Sequence, residues 1–138
     1  MAGQEYRSGK GYDFDPMSRK IIGAAMTVHR ELGTGFVEYT YQKALAIELQ
    51  HLSIPFQREV DLPIYYRDEM IDVRRADFIV IDIILELKAT EHTLPEHIAQ
   101  LAMYLKAARY KTGLLFNFGT PKLYIKRVVN TSFLSNPS

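Results

Sequence analysis

Besides Asp82 in the middle, three charged side chains lie near the two ends of the most apolar stretch of the sequence, residues 77–88. Asp77 opens this stretch, and Glu86 and Lys88 close it. Burying an unpaired charge is costly, so these groups need partners. A divalent cation can neutralise two neighbouring carboxylates, and an oxygen-only pair suits Mg²⁺, which keeps several of its waters. The residues therefore predict a cation site, with a strand pair that ends in solvated surface charges as the alternative.

A two-residue turn at Ile81 and Asp82 would bring the charged groups together. In that register Asp77 lies opposite Glu86, with Cβ atoms roughly 4.5–5.5 Å apart. Alternation along the strand places Lys88 on the same face as Glu86. Two carboxylates this close repel each other, which raises a pKa unless a cation lies between them. The turn lacks the Gly that favours a two-residue connection, so a longer loop is the alternative.

Length and composition limit the class of protein. The chain has 138 residues, a formal net charge of +1 and no cysteine. This length fits one domain, and the missing cysteines exclude disulfides, zinc–thiolate sites and cysteine nucleophiles. No apolar run reaches transmembrane length and no signal peptide is visible, so we expect a cytoplasmic protein without membrane contact. Local positive charge must come from clusters at 74–75, 106–111 and 122–127.

Hydrophobic periodicity predicts one α/β domain over residues 16–129, between a flexible tail at 1–15 and a second tail at 130–138. The predicted order is helix, helix, three strands, helix and two strands. The predicted bounds are 16–32 and 36–52 for the first two helices, 56–66, 70–80 and 83–88 for the three strands, about 94–105 for the third helix, and 112–118 and 123–129 for the last strands.

Local signals add detail to these elements. Pro63 indicates that the first strand either lies at an edge of the sheet or contains an irregularity. The apolar fourth strand is predicted to lie parallel to the third, connected through the third helix. Thr93 is predicted to cap that helix in a capping box with Glu96. Glu38 borders the buried face of the second helix. Its structural alternative is simple, because the helix dipole favours an acidic residue in the first turn. Tyr41 is predicted to pack, with its hydroxyl orienting Glu38 or another site group.

Three motifs resemble those of known nucleases. Asp77 followed by Glu86-Leu87-Lys88 resembles the Asp…(Asp/Glu)-x-Lys signature of the PD-(D/E)xK nuclease superfamily, with Ala76 in place of the proline. Gln100 and Tyr104 resemble the Gln-x-x-x-Tyr motif of RecB-type nucleases. The third motif is similar to the one that names the GxxExxY protein family, a branch of the same superfamily, and reads Gly35-Phe36-Val37-Glu38-Tyr39-Thr40-Tyr41.

The resemblance implies a restriction-endonuclease-like α-β-β-β-α-β core, with a mixed central sheet flanked by helices. It also implies a metal-dependent nuclease that acts on nucleic acid, DNA in preference to RNA, with Mg²⁺ or Mn²⁺ as cofactor. The implied metal ligands are Glu38, Asp77, Glu86 and the Leu87 carbonyl. Lys88 would stabilise the transition state or orient the attacking water.

Gln100 and Tyr104 would position the substrate by the same resemblance. The alternative function is a non-catalytic module that keeps the fold and binds nucleic acid or protein. The near-neutral net charge favours this alternative slightly, whereas the intact set of two acids and a lysine opposes it. Homodimer formation is also left open.

Overall fold

The computed structural model describes residues 15–134. It confirms the predicted order of helices and strands and adds one short helix at the end. The elements are α1 (Pro16–Leu32), α2 (Glu38–His51), β1 (Gln57–Tyr66), β2 (Glu69–Val80), β3 (Ile83–Lys88), α3 (Pro95–Ala108), β4 (Thr112–Asn117), β5 (Tyr124–Val129) and α4 (Thr131–Leu134).

The five strands form one mixed sheet in the order β1-β2-β3-β4-β5. Only the β3–β4 pair is parallel, and α3 makes the crossover between these two strands. The other neighbouring pairs are antiparallel. The predictions of an edge position for β1, which contains Pro63, and of a parallel β4 are therefore confirmed. The predicted α/β class with a mixed sheet and flanking helices is confirmed as well.

Helices cover both faces of the sheet. On one face α1 and α2 pack against Phe78, Leu85 and Leu87, and Tyr41 of α2 stacks on Phe118 with ring centres 4.7 Å apart. On the other face α3 packs against residues that include Ile84. Because side chains alternate along β3, the residues after Ile84 on the α3 face are Glu86 and Lys88.

The turn between β2 and β3 has the predicted two-residue form. Val80 pairs with Ile83, and the register continues to Phe78 opposite Leu85. Ile81 adopts a φ of 61°, a conformation that glycine usually supplies in such turns. The hairpin thus accepts local backbone strain of about 1 kcal/mol or more, and this strain must be offset by the buried apolar pairs beside it.

The predicted capping box of α3 is wrong. The helix begins at Pro95, whose fixed φ and missing N–H suit the first helical position. Leu94 is therefore the N-cap residue, and its backbone N–H donates to Nδ1 of His97 over 3.2 Å. Thr93 instead accepts a hydrogen bond from Nδ2 of Asn117 over 2.8 Å. The side chain of Thr93 therefore makes a tertiary contact with β4 and does not cap the helix.

Asn117, at the end of β4, holds the connection that follows β3. Its Oδ1 accepts from the backbone N–H of Thr90 (3.1 Å) and of Gly119 (2.9 Å), and the residue is fully buried. The backbone of Gly119 consequently lies directly against residues 89–90. This contact fixes the path of the chain just beyond Lys88.

The chain remains packed past β5, within the region predicted as a tail. Asn130 is buried, and its Nδ2 donates to the carbonyl oxygens of Leu105 and Tyr110. The predicted N-terminal tail lies outside the described residues except for Asp15, which caps α1 by accepting from the Ser18 N–H. Within residues 15–134, no helix combines the length and the apolar character needed to cross a bilayer.

Gly119→Ala should destabilise the protein by about 1–3 kcal/mol, because a Cβ there would lie 2.7 Å from the carbonyl carbon of Ala89 and closer still to Thr90. Gly23→Ala is the matched control. Gly23 is exposed within α1 with open space around it, so alanine should stabilise by about 0.5–1 kcal/mol. Urea denaturation measures both changes, and a neutral or stabilising Gly119→Ala would contradict the close packing at residues 89–90.

Candidate active site

Strands β2 and β3 separate just beyond the Phe78–Leu85 pair, and two carboxylates occupy the resulting fork. The next opposed residues would be Asp77 and Glu86, but the β2–β3 register ends before them. Instead, the backbone N–H of Leu87 donates to Oδ2 of Asp77 over 2.8 Å. The backbone N–H of Asp77 donates to Oε2 of Glu86 over 3.3 Å. We call this reciprocal arrangement of Asp77 and Glu86 the carboxylate clasp.

The clasp holds its acids in surroundings that disfavour negative charge. Glu86 is only 7% exposed. Burial, and next the charge of Asp77, raises the pKa of Glu86 to about 8. Burial also raises the pKa of Asp77, against the hydrogen bond from Leu87, which acts to lower it. The sequence-based expectation of a raised pKa in this pair is thus supported by the geometry.

Glu38 lies at the first residue of α2, close to the clasp. Burial, followed by the negative charge of Asp77, raises the pKa of Glu38. The preceding residue, Val37, is extended and makes no side-chain cap. Placing an acid at this helix start is favoured by the dipole, which directs positive potential toward the carboxylate.

Tyr41 does not orient Glu38, contrary to one of our expectations. Its hydroxyl donates to the carbonyl oxygen of Gly33 over 2.6 Å and accepts from the backbone N–H of Phe36 over 3.3 Å. The ring is fully buried, as predicted. Tyr41 therefore fixes the turn between α1 and α2, and through that turn it sets where α2 begins.

Lys88 extends the site along β3. Burial dominates the raised pKa values of the three acids, whereas the positive charge of Lys88 acts on all three in the opposite direction. No carboxylate between Asp15 and Leu134 lies within ion-pair distance of the Lys88 ammonium group. This cation is therefore near the acids without being held by any of them, and it remains available to a bound anion.

Helix α3 contributes Tyr104 to the same region. Tyr104 is half-buried, and burial followed by the charge of Glu86 raises its pKa. Gln100, one turn earlier, is exposed to solvent. His97, one further turn back, has its pKa lowered by burial and then by the charge of Lys88. The ring of His97 is engaged at the helix start, where its Nδ1 accepts from the backbone N–H of Leu94.

Two further residues near Asp77 were not predicted. In β1 the register pairs Arg58 with Phe78 and Val60 with Ala76, which leaves Glu59 across from Asp77 with a φ of 51°. After the larger effects of burial, the Leu87 hydrogen bond and Lys88, Glu59 acts to raise the pKa of Asp77 and Arg58 acts to lower it. Only the pairing register could have revealed these neighbours.

The donor set fits a hard cation that needs few protein ligands. In the part of the chain that the structure describes, no three His, Cys, Asp or Glu side chains are grouped closely enough to hold a metal ion by themselves. The clasp offers two carboxylates with raised pKa values, a pair whose repulsion a cation would relieve. Mg²⁺ is commonly bound through one or two carboxylates, with waters and substrate phosphates as its other ligands.

Without a cation, the protein should lose stability as the pH rises. The pKa of Glu86 is about 8 when folded and 4.5 in the unfolded reference, so the folded state binds more protons between these values. The free energy of unfolding then falls with rising pH, by at most about 1.4 kcal/mol per pH unit for this group. Urea denaturation in chelator, between about pH 5 and 8, measures this slope.

Glu86→Gln should flatten that slope, because the amide oxygen still accepts from the Asp77 N–H but carries no charge. The control variant is Glu31→Gln, which alters an exposed acid on α1. Parallel slopes for wild type and Glu86→Gln would show that Glu86 is not the buried proton-binding group.

Comparison with known proteins agrees with this arrangement. The sequence matches the family model of the PD-(D/E)XK nuclease superfamily over residues 15–128, which include Glu38 and the whole clasp. Among curated proteins, none matches the sequence significantly.

A solved structure described as the crystal structure of SSO0001 is similar in fold. Its TM-score is 0.54 at 20% sequence identity, over 72% of this chain and 60% of that chain. This chain thus spans about 60% of the length of that protein. With the mixed sheet, the flanking helices and the family match together, this chain belongs to the PD-(D/E)XK nuclease superfamily.

Proposed function

We propose that the protein is a metal-dependent nuclease that hydrolyses phosphodiester bonds in nucleic acid, with DNA preferred over RNA. The carboxylate clasp is the observation that carries this proposal. A purely structural strand pair gains nothing from a buried and a half-buried acid with raised pKa values, since burying charge without a partner is costly. In a site that binds a cation together with a phosphate, both acids would act as ligands of the cation.

Asp77 and Glu86 would hold Mg²⁺ or Mn²⁺, with the carbonyl of Leu87 as a further ligand. Glu38 is not grouped closely enough with these two acids to complete a three-carboxylate site in this structure, so its part in the metal site would be through a coordinated water. Such an ion, when bound, lowers the pKa of a coordinated water and offsets negative charge on the phosphate. The clasp keeps the Asp77 carboxylate in place, because the Leu87 N–H fixes one of its oxygens at 2.8 Å. The other oxygen of Asp77 has no such bond from Leu87 and is the natural donor to a cation.

Lys88 would act on the phosphate. Lys88 is half-buried, and its charge acts on that of the acids. An ammonium group that lacks a carboxylate partner can stabilise the extra negative charge that develops in the transition state, or orient the water that attacks. Binding of an anionic substrate also supplies the counter-charge that Lys88 lacks in the free protein.

Gln100 and Tyr104 would position the substrate from α3. Tyr104 lies near enough to Glu86 for their charges to interact, and Gln100 lies one turn nearer the helix start with its side chain exposed. An exposed amide and a half-buried phenol on one helix face can donate to phosphate oxygens on either side of the scissile bond. Membership of the GxxExxY branch stays a prediction, as does homodimer formation.

A non-catalytic nucleic-acid- or protein-binding module is the second candidate. The net charge of +1 favours its protein-binding form, because high-affinity nucleic-acid binders usually present a large excess of positive charge. The clasp and the free ammonium group of Lys88 oppose it, since binding alone requires neither.

Lys88→Ala should abolish cleavage while leaving the fold intact. The expected loss in rate is on the order of 10²–10³-fold, typical for removal of one transition-state donor. The assay uses single- and double-stranded DNA and RNA with Mg²⁺ or Mn²⁺, and Lys20→Ala, on the exposed side of α1, is the matched control. Cleavage that persists in Lys88→Ala, or no cleavage of any substrate by the wild type, would contradict the proposed function.

A further inference from the structure

A groove separates the β1–β2 hairpin from α3 and lies beside the candidate active site. Its volume is about 550 Å³, within the range of about 300–1,000 Å³ that ligand sites usually have. The hairpin supplies Ile64, Tyr65, Asp72 and Arg74, and the helix supplies residues between Met103 and Arg109. None of the residues that hold the clasp lines this groove.

A β-bulge turns an aromatic ring into the groove. The register of β1 and β2 shifts between Ile64 and Tyr65, and both of these consecutive residues line the groove. In a regular strand they would point to opposite faces. The guanidinium carbon of Arg109 lies 4.9 Å from the centre of the Tyr65 ring, and Arg109 also donates to Asp68 over 2.7 Å. These contacts hold Tyr65 in place at the far end of the groove.

The charges that line the groove favour an anionic ligand. Arg74 pairs with Asp72 at 3.3 Å, which leaves little net charge on the hairpin side. The guanidinium group of Arg109, at the end of the helix, pairs with Asp68 at 2.7 Å, so it too adds little net charge. Lys106 lines the groove from α3 and is exposed, and no carboxylate within the described residues 15–134 lies at ion-pair distance from it. Its ammonium group is therefore open to a phosphate.

Tyr104 connects the groove to the active site. It lines the groove, and its pKa is raised by burial and then by Glu86, while Arg74 acts to lower it. Tyr104 therefore lines the groove and is also near enough to Glu86 to be affected by its charge. A polymer that passes over Tyr104 can present one phosphate to the clasp and the adjoining nucleotides to the groove.

We propose that this groove binds an unpaired nucleic-acid strand next to the scissile phosphate, with a base against Tyr65 and a phosphate on Lys106. Only an unpaired base can offer a free face to Tyr65, because bases in a duplex stack on each other. Aromatic faces beside cations are the usual means of binding single strands without sequence preference. The inference rests on the proposed function, and it adds that the preferred substrate has a single-stranded segment.

The test measures binding without cleavage. Fluorescence anisotropy in chelator would follow a single-stranded oligonucleotide of about 12 nucleotides and the matching duplex. We expect tighter binding of the single strand. Lys106→Glu should weaken that binding about tenfold and reduce its salt dependence by about one phosphate contact. Lys20→Glu reverses an exposed charge on α1, across the sheet, and should leave the affinity unchanged within about twofold.

Tyr65→Leu tests the stacking contact separately. It should weaken single-strand binding about five- to tenfold, whereas Tyr66→Leu, at the exposed neighbouring residue, should not. Unchanged affinity in both Lys106→Glu and Tyr65→Leu, or equal binding of duplex and single strand, would overturn the groove proposal. If these variants weaken binding although the wild type cleaves nothing, the groove stands and the nuclease proposal fails. If the wild type cleaves nucleic acid and neither variant changes the affinity for the single strand, the nuclease proposal stands and the groove proposal fails.

Discussion

Two carboxylates take the positions that backbone groups would hold if β2 and β3 stayed paired beyond Phe78 and Leu85. Each carboxylate accepts a main-chain N–H from the other strand, so the fork is closed without a regular ladder. Main-chain donors must be satisfied when buried, and here acids satisfy them. The same bonds keep the two carboxyl groups close together, which helps to raise the pKa of Glu86 to about 8. The rest of the site follows from this arrangement, since Lys88, Glu38 and Tyr104 are all arranged around it.

The fold supplies this fork by constraints on either side. The tight turn at Ile81 and the buried pairs beside it hold β2 and β3 together at one end. At the other end β3 continues in parallel with β4 as far as Lys88 and Asn117, whereas its pairing with β2 has already ended at Leu85. Asn117 then directs the chain after Lys88 toward α3, which carries Tyr104 back across the site. The acids therefore lie where β3 is no longer paired with β2 but is still paired with β4.

Much of this could be predicted from residue types and spacing. Alternation from a two-residue turn placed Asp77 opposite Glu86 and Lys88 beside it, because side-chain direction in strands has a fixed period. Contacts that depend on the path of loops could not be predicted. Thr93 looked like a helix cap but bonds Asn117, and the hydroxyl of Tyr41 bonds the turn before α2 rather than Glu38. The proximity of Arg58 and Glu59 to Asp77 needed the β1–β2 register, and the groove needed the bulge at Tyr65. Such details arise from tertiary packing, which no local pattern encodes.

The central claim is that the clasp holds a proton in the absence of a cation and releases this proton when a divalent cation binds. The most direct test is calorimetry of Mn²⁺ binding near neutral pH in two buffers with different ionisation enthalpies. Because the pKa of Glu86 is about 8, binding should release about one proton per ion, and the measured enthalpy should differ between the buffers. Mn²⁺ binding with no proton release, or no Mn²⁺ binding at all, would contradict the account.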